Sequence, residues 1–179
     1  MKYLKNYLLF LEKNATYEFG CVMIEFKFDG WDELKKSIEE EDLYKPEDEQ
    51  YGFETEPHLT LLYGLHKEVS DKNIEDIIKK FDLKNLVIEI EGIGNFENEE
   101  YDVLKFNVIK TSILEKLNHE LKQLPNSNKY PDYKPHCTIA YLKNGLSKKY
   151  LDENFKKKIN EITGIIYSKP DGTKTKIEI

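Results

Sequence analysis

The strongest constraint in this sequence is an internal match between two seven-residue segments. Residues 57–63 (PHLTLLY) and 135–141 (PHCTIAY) share Pro, His, Thr and Tyr at the same offsets, and their histidines, His58 and His136, are 78 residues apart. An internal match of this kind indicates two similar structural units, each presenting one copy of the motif. We therefore expect a single domain over residues 1–179, made of two pseudo-symmetric lobes that each contribute one His-x-Thr strand.

Both copies of the motif are expected to be β-strands, in which successive side chains point to opposite faces of the sheet. His58 and Thr60 then share one face of the first strand, and His136 and Thr138 share one face of the second. The opposite faces are expected to be buried, with Leu59, Leu61 and Tyr63 in the first strand and Cys137, Ile139 and Tyr141 in the second.

The flanking segments predict strands mixed with helices, which favours an α+β fold of antiparallel sheets. Strands are expected over residues 20–28, 58–63, 86–90, 102–109, 136–142, 164–168 and 173–179. Helices are expected after the turn at Asp29-Gly30, after the caps Ser70 and Thr111 or Ser112, and from Ser147 to about Ile159. Residues 39–54 are rich in Asp and Glu and predict an exposed acidic loop.

The charge of the chain limits its partners. The net charge is −7, and all 27 basic residues are Lys. A protein that binds long nucleic acid needs a basic surface to displace counterions from many phosphates, so long nucleic acid is disfavoured as a partner. A small nucleotide requires only two or three positive groups. Without arginine, its phosphates must be bound by Lys, His, hydroxyl or backbone N–H groups.

Cysteine usage and hydropathy predict a cytoplasmic protein. Cys21 and Cys137 have no paired spacing, which is typical of reduced core residues rather than a disulfide. The longest apolar runs, such as residues 7–11, are far too short to span a bilayer, so no membrane association is expected. No small-residue cleavage site follows the apolar N-terminus, which argues against a signal peptide.

Two imidazoles and two hydroxyls that meet in one cleft are suited to cleaving a phosphodiester. A neutral imidazole can remove a proton from the nucleophile while a protonated one delivers a proton to the leaving oxygen, and each transfer is typically worth about 10²–10⁴-fold. The hydroxyls of Thr60 and Thr138 can donate hydrogen bonds to the non-bridging oxygens. A single His-x-Thr is usually structural, but two copies with matching flanks favour a functional role.

No metal or other cofactor is expected. The sequence has no third His, Cys or carboxylate at a ligand spacing that would converge with the two motif histidines. His66, after the first motif strand, and His119, on the polar side of its predicted helix, are expected to be solvated.

Paired H-x-T motifs resemble those of the two-histidine (2H) phosphoesterase superfamily, which includes RNA 2',3'-cyclic phosphodiesterases and LigT-like proteins. The resemblance extends from about residue 20 to residue 179. It implies a bilobal fold with two antiparallel sheets and flanking helices around a central cleft. It also implies the catalytic set His58, Thr60, His136 and Thr138. Residues 17–26 (YEFGCVMIEF) and 56–66 (EPHLTLLYGLH) are further similar to phage proteins that degrade the cyclic oligonucleotide signals of bacterial CBASS defence.

The closer resemblance implies metal-independent cleavage of 3'–5' bonds in cyclic di- or trinucleotides, in the host cytoplasm if a phage encodes the protein. It also implies an aromatic residue near the N-terminal strand that stacks on a base, for which Tyr17 is the candidate and Phe19 the alternative. Two alternatives remain open. One is LigT-like processing of RNA 2',3'-cyclic phosphate ends with the same catalytic residues, and the other is a protein that sequesters a nucleotide without cutting it.

Overall fold

The computed structural model describes residues 17–46 and 51–179, so the apolar run at residues 7–11 lies outside the described residues. The strands are β1 (Gly20–Phe26), β2 (His58–Leu65), β3 (Ile88–Glu97), β4 (Tyr101–Val108), β5 (His136–Lys143), β6 (Lys157–Ile159), β7 (Ile162–Ser168) and β8 (Lys174–Ile177). The helices are α1 (Trp31–Lys36), α2 (Asp71–Ile78) and α3 (Ser112–Leu121), with short 3₁₀ helices at Glu40–Asp42 and Leu146–Tyr150.

The strands form two four-stranded antiparallel sheets, which confirms the predicted α+β class. The first sheet has the order β2-β1-β7-β8 and the second has the order β5-β4-β3-β6. The two sheets do not correspond to the two halves of the chain, because β7 and β8 return to pair with β1. Each sheet has one histidine strand at its edge, and these two strands, β2 and β5, lie next to each other.

The apolar patterns of the sequence explain the local structure. Val22, Ile24 and Phe26 alternate along β1 and are all buried, as expected for a strand with one face on the core. Helices α2 and α3 begin at the predicted caps, where Ser70 Oγ accepts from the Asn73 N–H and Thr111 Oγ1 accepts from the Leu114 N–H. The apolar side of α3 packs against β2.

The outer edges of both histidine strands are covered by hydrogen bonds. Along β2, the carbonyls of Thr60, Leu61 and Tyr63 accept from Tyr133 Oη (3.1 Å), Asn118 Nδ2 (2.7 Å) and Asn128 Nδ2 (3.0 Å). Along β5, the Glu54 N–H donates to the Ile139 carbonyl (2.9 Å) and the Tyr141 N–H donates to the Gly52 carbonyl (2.8 Å). The segment that precedes each histidine strand therefore borders the other histidine strand, so neither edge is free to pair with another chain.

Residues 47–50 of the predicted acidic loop lie outside the described residues, and residues 39–46 and 51–54 are only partly exposed. Asp42 is 4% exposed and accepts hydrogen bonds from Lys149 Nζ (2.9 Å) and Tyr150 Oη (2.6 Å). The side chain of Glu54 is also largely buried. Composition suggested solvation, but these carboxylates have specific partners that compensate for their burial.

The predicted helix over residues 147–159 is wrong. The chain forms one short 3₁₀ helix at Leu146–Tyr150 and then β6, which pairs with Ile88–Ile90 of β3. Apolar residues four apart suggested a helix, but the unpaired edge of β3 supplies backbone hydrogen bonds while Ile159 reaches the core as a strand residue. Strand β3 is also longer than predicted and continues through Gly92 and Gly94 to Glu97.

Replacing Asn118 by Ala should reduce the free energy of unfolding by about 1–3 kcal/mol, because the buried Leu61 carbonyl loses its donor. Chemical denaturation followed by circular dichroism measures this change. His119→Ala is the matched control because it changes the next residue of α3 at an exposed position. A loss below about 0.5 kcal/mol, which is ordinary for a surface substitution, would contradict a structural role for this hydrogen bond.

Candidate active site

The two motif histidines occupy equivalent positions and have the same tautomer. His58 and His136 are the first residues of β2 and β5. In each ring Nδ1 lies within hydrogen-bonding distance of the backbone carbonyl two residues earlier, at 3.1 Å from Glu56 O and 2.8 Å from Lys134 O. Because a carbonyl can only accept, Nδ1 carries the proton and the neutral ring keeps its lone pair on Nε2. Each Nε2 can therefore accept or deliver a proton.

The residue pairing shifts by one position at the same point in both histidine strands. Val22 pairs with Leu62 and Met23 with Thr60, so Leu61 is an extra residue in β2. Likewise Leu104 pairs with Ala140 and Lys105 with Thr138, so Ile139 is an extra residue in β5. An extra residue in one strand bends it and interrupts the strict alternation of its side chains.

These two register shifts make the prediction for Tyr63 and Tyr141 wrong. The sequence placed both tyrosines on the buried face, but Tyr63 is 48% exposed and Tyr141 is only partly buried. After the extra residue the alternation restarts, so each tyrosine lies on the same side of its strand as the preceding His and Thr. On each of the adjacent strands β2 and β5, the His-x-Thr pair is thus followed by a tyrosine on the same side of the strand.

The surroundings of His136 are positively charged and partly apolar. Lys105 is 7% exposed, donates from Nζ to Asn107 Oδ1, and lies with Nζ 4.4 Å from the centre of the Phe96 ring. The same phenyl ring makes an edge-to-face contact with His136 at 4.9 Å. Burial lowers the pKa of His136, and the charges of Lys105 and His58 lower it further, against the opposing effect of the Lys134 carbonyl.

His58 has a carboxyl group beside it instead. Glu54 Oε1 lies 4.0 Å from His58 Nδ1, and the side chain of Glu54 is 14% exposed. Burial raises the pKa of Glu54, while the charge of His58 acts in the opposite direction. The two imidazoles therefore have the same backbone support but different electrostatic neighbours. Both rings belong to one site because they begin the two strands β2 and β5, which lie next to each other.

The two cysteines are free thiols and lie next to the motifs. Burial raises the pKa of Cys21 to about 12, against a hydrogen bond with the Thr60 hydroxyl that lowers it. Burial also raises the pKa of Cys137, against a hydrogen bond from the His58 backbone. Both thiols remain protonated near neutral pH, so neither is suited to act as a nucleophile.

The aromatic candidates lie near the start of β1. Tyr17 is 37% exposed, and its backbone N–H donates to the Pro170 carbonyl at the β7–β8 turn. The role of Tyr17 in base stacking stays a prediction. Phe19 makes an edge-to-face contact with Tyr63, with the ring centres 6.1 Å apart.

The other two histidines have different environments. His119 is exposed on α3, as expected. His66 remains partly solvated, with 35% of its side chain exposed, but its ring also stacks on Phe19 at 5.9 Å and its Nε2 lies 2.8 Å from Ser127 Oγ.

Two features are absent from the part of the chain that the structure describes. Residues 17–46 and 51–179 contain no group of three or more His, Cys, Asp or Glu side chains placed to hold a metal ion. Among the helices of the same residues, none has the length and apolarity needed to cross a bilayer.

The family model of the 2'-5' RNA ligase superfamily matches residues 30–163, a segment that contains both His-x-Thr motifs. The chain belongs to this superfamily of two-histidine phosphoesterases. It is accordingly an enzyme that acts on phosphodiester bonds, as the paired motifs predicted.

Solved structures show the same fold at very low sequence identity. Usb1 of Kluyveromyces marxianus is 9% identical, with a TM-score of 0.58 over 91% of this chain and 99% of the Usb1 chain. The structure of the same protein with uridine monophosphate is also 9% identical, with a TM-score of 0.56 over 90% of this chain and 98% of the other. No curated protein sequence is significantly similar to this chain.

Sequence reasoning did not single out Lys105, Glu54 or Phe96 as residues of the site. Lys105 lies in a correctly predicted strand, but a lysine between Leu104 and Phe106 suggests an exposed position. Only the pairing of β4 with β5 places Lys105 opposite Thr138. The only relevant sequence signal is that Glu54 and His58 are four residues apart. This spacing indicates a contact between side chains in a helix, but it indicates nothing specific in a segment that is not helical.

The His136 imidazole should titrate below the ordinary histidine pKa of about 6.5, because burial and nearby positive charge disfavour its protonated form. The folded protein then binds this proton less readily than the unfolded chain does. The contribution of His136 to stability should therefore increase as pH rises through the window just below about 6.5. NMR titration of the ring Cε1–H signal, assigned with His136→Asn, measures this pKa. A midpoint at or above 6.5 would contradict the environment described for His136.

Proposed function

We propose that the protein cleaves 3'–5' phosphodiester bonds in small ribonucleotides, with cyclic di- and trinucleotides as its substrates. The observation that carries this proposal is the pair formed by His58 and His136. Both rings have Nδ1 fixed by a backbone carbonyl, and they are close enough for one charge to affect the other. Two imidazoles prepared in this way supply the acid and the base that a phosphodiester transfer requires.

In the proposed first step, neutral His136 accepts the proton of the ribose 2'-OH through Nε2. The 2'-oxygen forms a bond to the neighbouring phosphorus, the bond from phosphorus to the 5'-oxygen breaks, and protonated His58 delivers its proton to that oxygen. The hydroxyls of Thr60 and Thr138 donate hydrogen bonds to the non-bridging oxygens as negative charge develops there. The product is a 2',3'-cyclic phosphate. Water can open it to a 3'-phosphate with the two histidines in exchanged roles.

The electrostatic surroundings support this division of roles. Lys105 and burial favour the neutral form of His136, which a base requires. Glu54 lies beside Nδ1 of His58, so the two rings differ in their charged neighbours, and the acid role is assigned to His58 on this difference. A cycle that returns both rings to their starting protonation states needs no other proton carrier.

The charge distribution supports a small substrate. The net charge of −7 opposes the approach of a long polyanion, whereas Lys105 and Lys134 lie beside His136 and can compensate one phosphate group. If the protein is encoded by a phage, this activity would remove CBASS signals from the cytoplasm of the host cell. Tyr17 is proposed to stack on one base of the substrate, with Phe19 as the alternative.

A second candidate is processing of RNA ends at 2',3'-cyclic phosphates. The family description names RNA ligases, and the same four motif residues would perform this reaction. A nucleotide-sequestering protein without activity would have no use for two imidazoles in one site, so catalysis is favoured. Mass spectrometry of the products from cyclic dinucleotides, cyclic trinucleotides and a short RNA with a 2',3'-cyclic phosphate end separates the candidates. Faster conversion of the RNA end than of every cyclic nucleotide would favour the second candidate.

His58→Ala and His136→Ala should each reduce turnover at least about a thousandfold, near 4 kcal/mol of transition-state stabilisation, because neither motif can replace the proton carrier of the other. Initial rates on the best cyclic nucleotide measure the loss. Thr60→Ala and Thr138→Ala should cost about 10- to 100-fold, since each removes one donor. His119→Ala is the control for general effects of removing a histidine. If a folded His58 or His136 variant kept more than a tenth of the activity, the two-histidine mechanism would be wrong.

The proposed nucleophile is tested with a cyclic dinucleotide that lacks 2'-hydroxyls. Such a ligand should bind without being cut, because attack by a neighbouring hydroxyl has a large effective-molarity advantage over attack by water. Matched ribose and 2'-deoxyribose cyclic dinucleotides are incubated with the protein, and both are followed by chromatography. The ribose form should pass through a 2',3'-cyclic phosphate. Equal cleavage of the two forms would point to direct attack by water.

A further inference from the structure

Lys105 is a buried cation without an anionic partner among the residues that the structure describes. It is 7% exposed. Among the described residues, its Nζ contacts the neutral Asn107 carboxamide and the face of the Phe96 ring. Burial and the like charge of Lys134 lower its pKa, and no described carboxylate forms an ion pair with it within 4.0 Å. Burying an ammonium without a counter-ion is costly, so a retained one indicates a role with a ligand.

The surrounding residues hold this ammonium in one position. Asn107 Oδ1 accepts from Nζ, and the Asn107 side chain lies over Gly94 of the neighbouring strand β3. A Cβ at position 94 would come within 2.8 Å of Asn107 Oδ1, so the glycine makes room for the acceptor. Phe96 contacts both Lys105 and His136, and it therefore fixes the ammonium and the imidazole relative to one ring.

The position of Lys105 in the second sheet is matched by an uncharged residue in the first. Lys105 pairs with Thr138 just after the register shift, and the equivalent partner of Thr60 is Met23. The two His-x-Thr strands have the same register shift. They differ in the residue that pairs with the motif threonine, which is a cation opposite Thr138 and an uncharged residue opposite Thr60. An anionic ligand at Thr138 would therefore meet a cation on the paired residue, whereas a ligand at Thr60 would meet the uncharged Met23 there.

We propose that Lys105 and Thr138 form a phosphate-binding subsite, in which the Lys105 ammonium binds a non-bridging oxygen of the scissile phosphate. The subsite adds a substrate-binding residue to the proposed function. The assignment of the bound phosphate as the scissile phosphate rests on that proposed function. Once bound, the phosphate supplies the counter-ion that Lys105 lacks. The ammonium then also compensates the charge that grows on the phosphate oxygens during attack.

Among the described residues, the charges that act on His136 are those of Lys105 on β4 and His58 on β2, while the Lys134 carbonyl before β5 acts in the opposite direction and β3 contributes the uncharged Phe96. Each cation makes protonation of His136 less favourable. Removing Lys105 should therefore raise the pKa of His136, so a larger share of the enzyme would hold this ring protonated near neutral pH.

Binding of inorganic phosphate tests the subsite without requiring any particular substrate. Phosphate is titrated into the protein at fixed pH and ionic strength, and the His136 ring signals are followed by NMR. Lys105→Met should weaken phosphate binding at least about tenfold, whereas Lys105→Arg should stay within about threefold. Lys116→Met is the matched control, because it makes the same change of charge at an exposed position of α3. Unchanged phosphate affinity in folded Lys105→Met would overturn the subsite.

The pH profile of kcat/KM distinguishes a role in the site from a merely structural one. Lys105→Met should move the acidic limb to higher pH, with the same direction of change in the NMR titration of His136, and Lys105→Arg should restore the original profile. Lys105→Gln repeats the test if the Met variant does not fold. If phosphate binding depends on Lys105 but no cyclic nucleotide is cut, the proposed function fails while the subsite stands. If neither the acidic limb of the pH profile nor the pKa of His136 changes in Lys105→Met, the proposed effect of Lys105 on the pKa of His136 is wrong.

Discussion

Each histidine strand contains an extra residue directly after its His-x-Thr motif, and this residue determines which side of the strand the following tyrosine occupies. Leu61 in β2 and Ile139 in β5 occupy equivalent positions three residues after the histidines. Their carbonyls are both satisfied from outside the sheet, the first by the Asn118 side chain and the second by the Glu54 backbone. Because these partners come from α3 and from the segment before β2, the local geometry of each motif depends on packing elsewhere in the chain.

A nearly symmetric backbone carries an asymmetric set of charges. The two rings share the same hydrogen bond at Nδ1, so orientation and tautomer do not distinguish them. Their neighbours do, with the Glu54 carboxyl beside His58 and the Lys105 ammonium close to His136. A proton transfer cycle needs one neutral and one protonated imidazole at the same pH. The unequal neighbours are the structural difference on which the proposed opposite roles of the two rings rest.

The sequence predicted the structure best where a motif repeats. It predicted the structure least well where pairing between distant segments determines the conformation. The mixed strand and helix pattern, together with the family resemblance, predicted the two antiparallel sheets, while the matched His-x-Thr copies predicted two strands with the same alternation up to Thr60 and Thr138. The Tyr63 prediction failed because one extra residue reverses strand alternation, and the pairing with β1 that creates it is not visible locally. The helix predicted after Ser147 failed for a related reason, since β6 gains more from the edge of β3 than from helical propensity. Only the pairing of Lys105 with Thr138 shows that this lysine lies beside the second motif.

An acidic protein with a buried lysine can bind one phosphate and still repel a polyanion, because the two effects act over different distances. The surface charges are screened over about 10 Å at 0.1 M salt, and their sum of −7 governs the approach of an extended ligand. Lys105 acts at short range from a largely desolvated position, where a charge interacts more strongly than in water. The similarity to Usb1 concerns the fold, which is shared at 9% identity and does not determine the substrate. We therefore propose that selection among phosphodiesters comes from such local charges and from the aromatic residues near the two motifs.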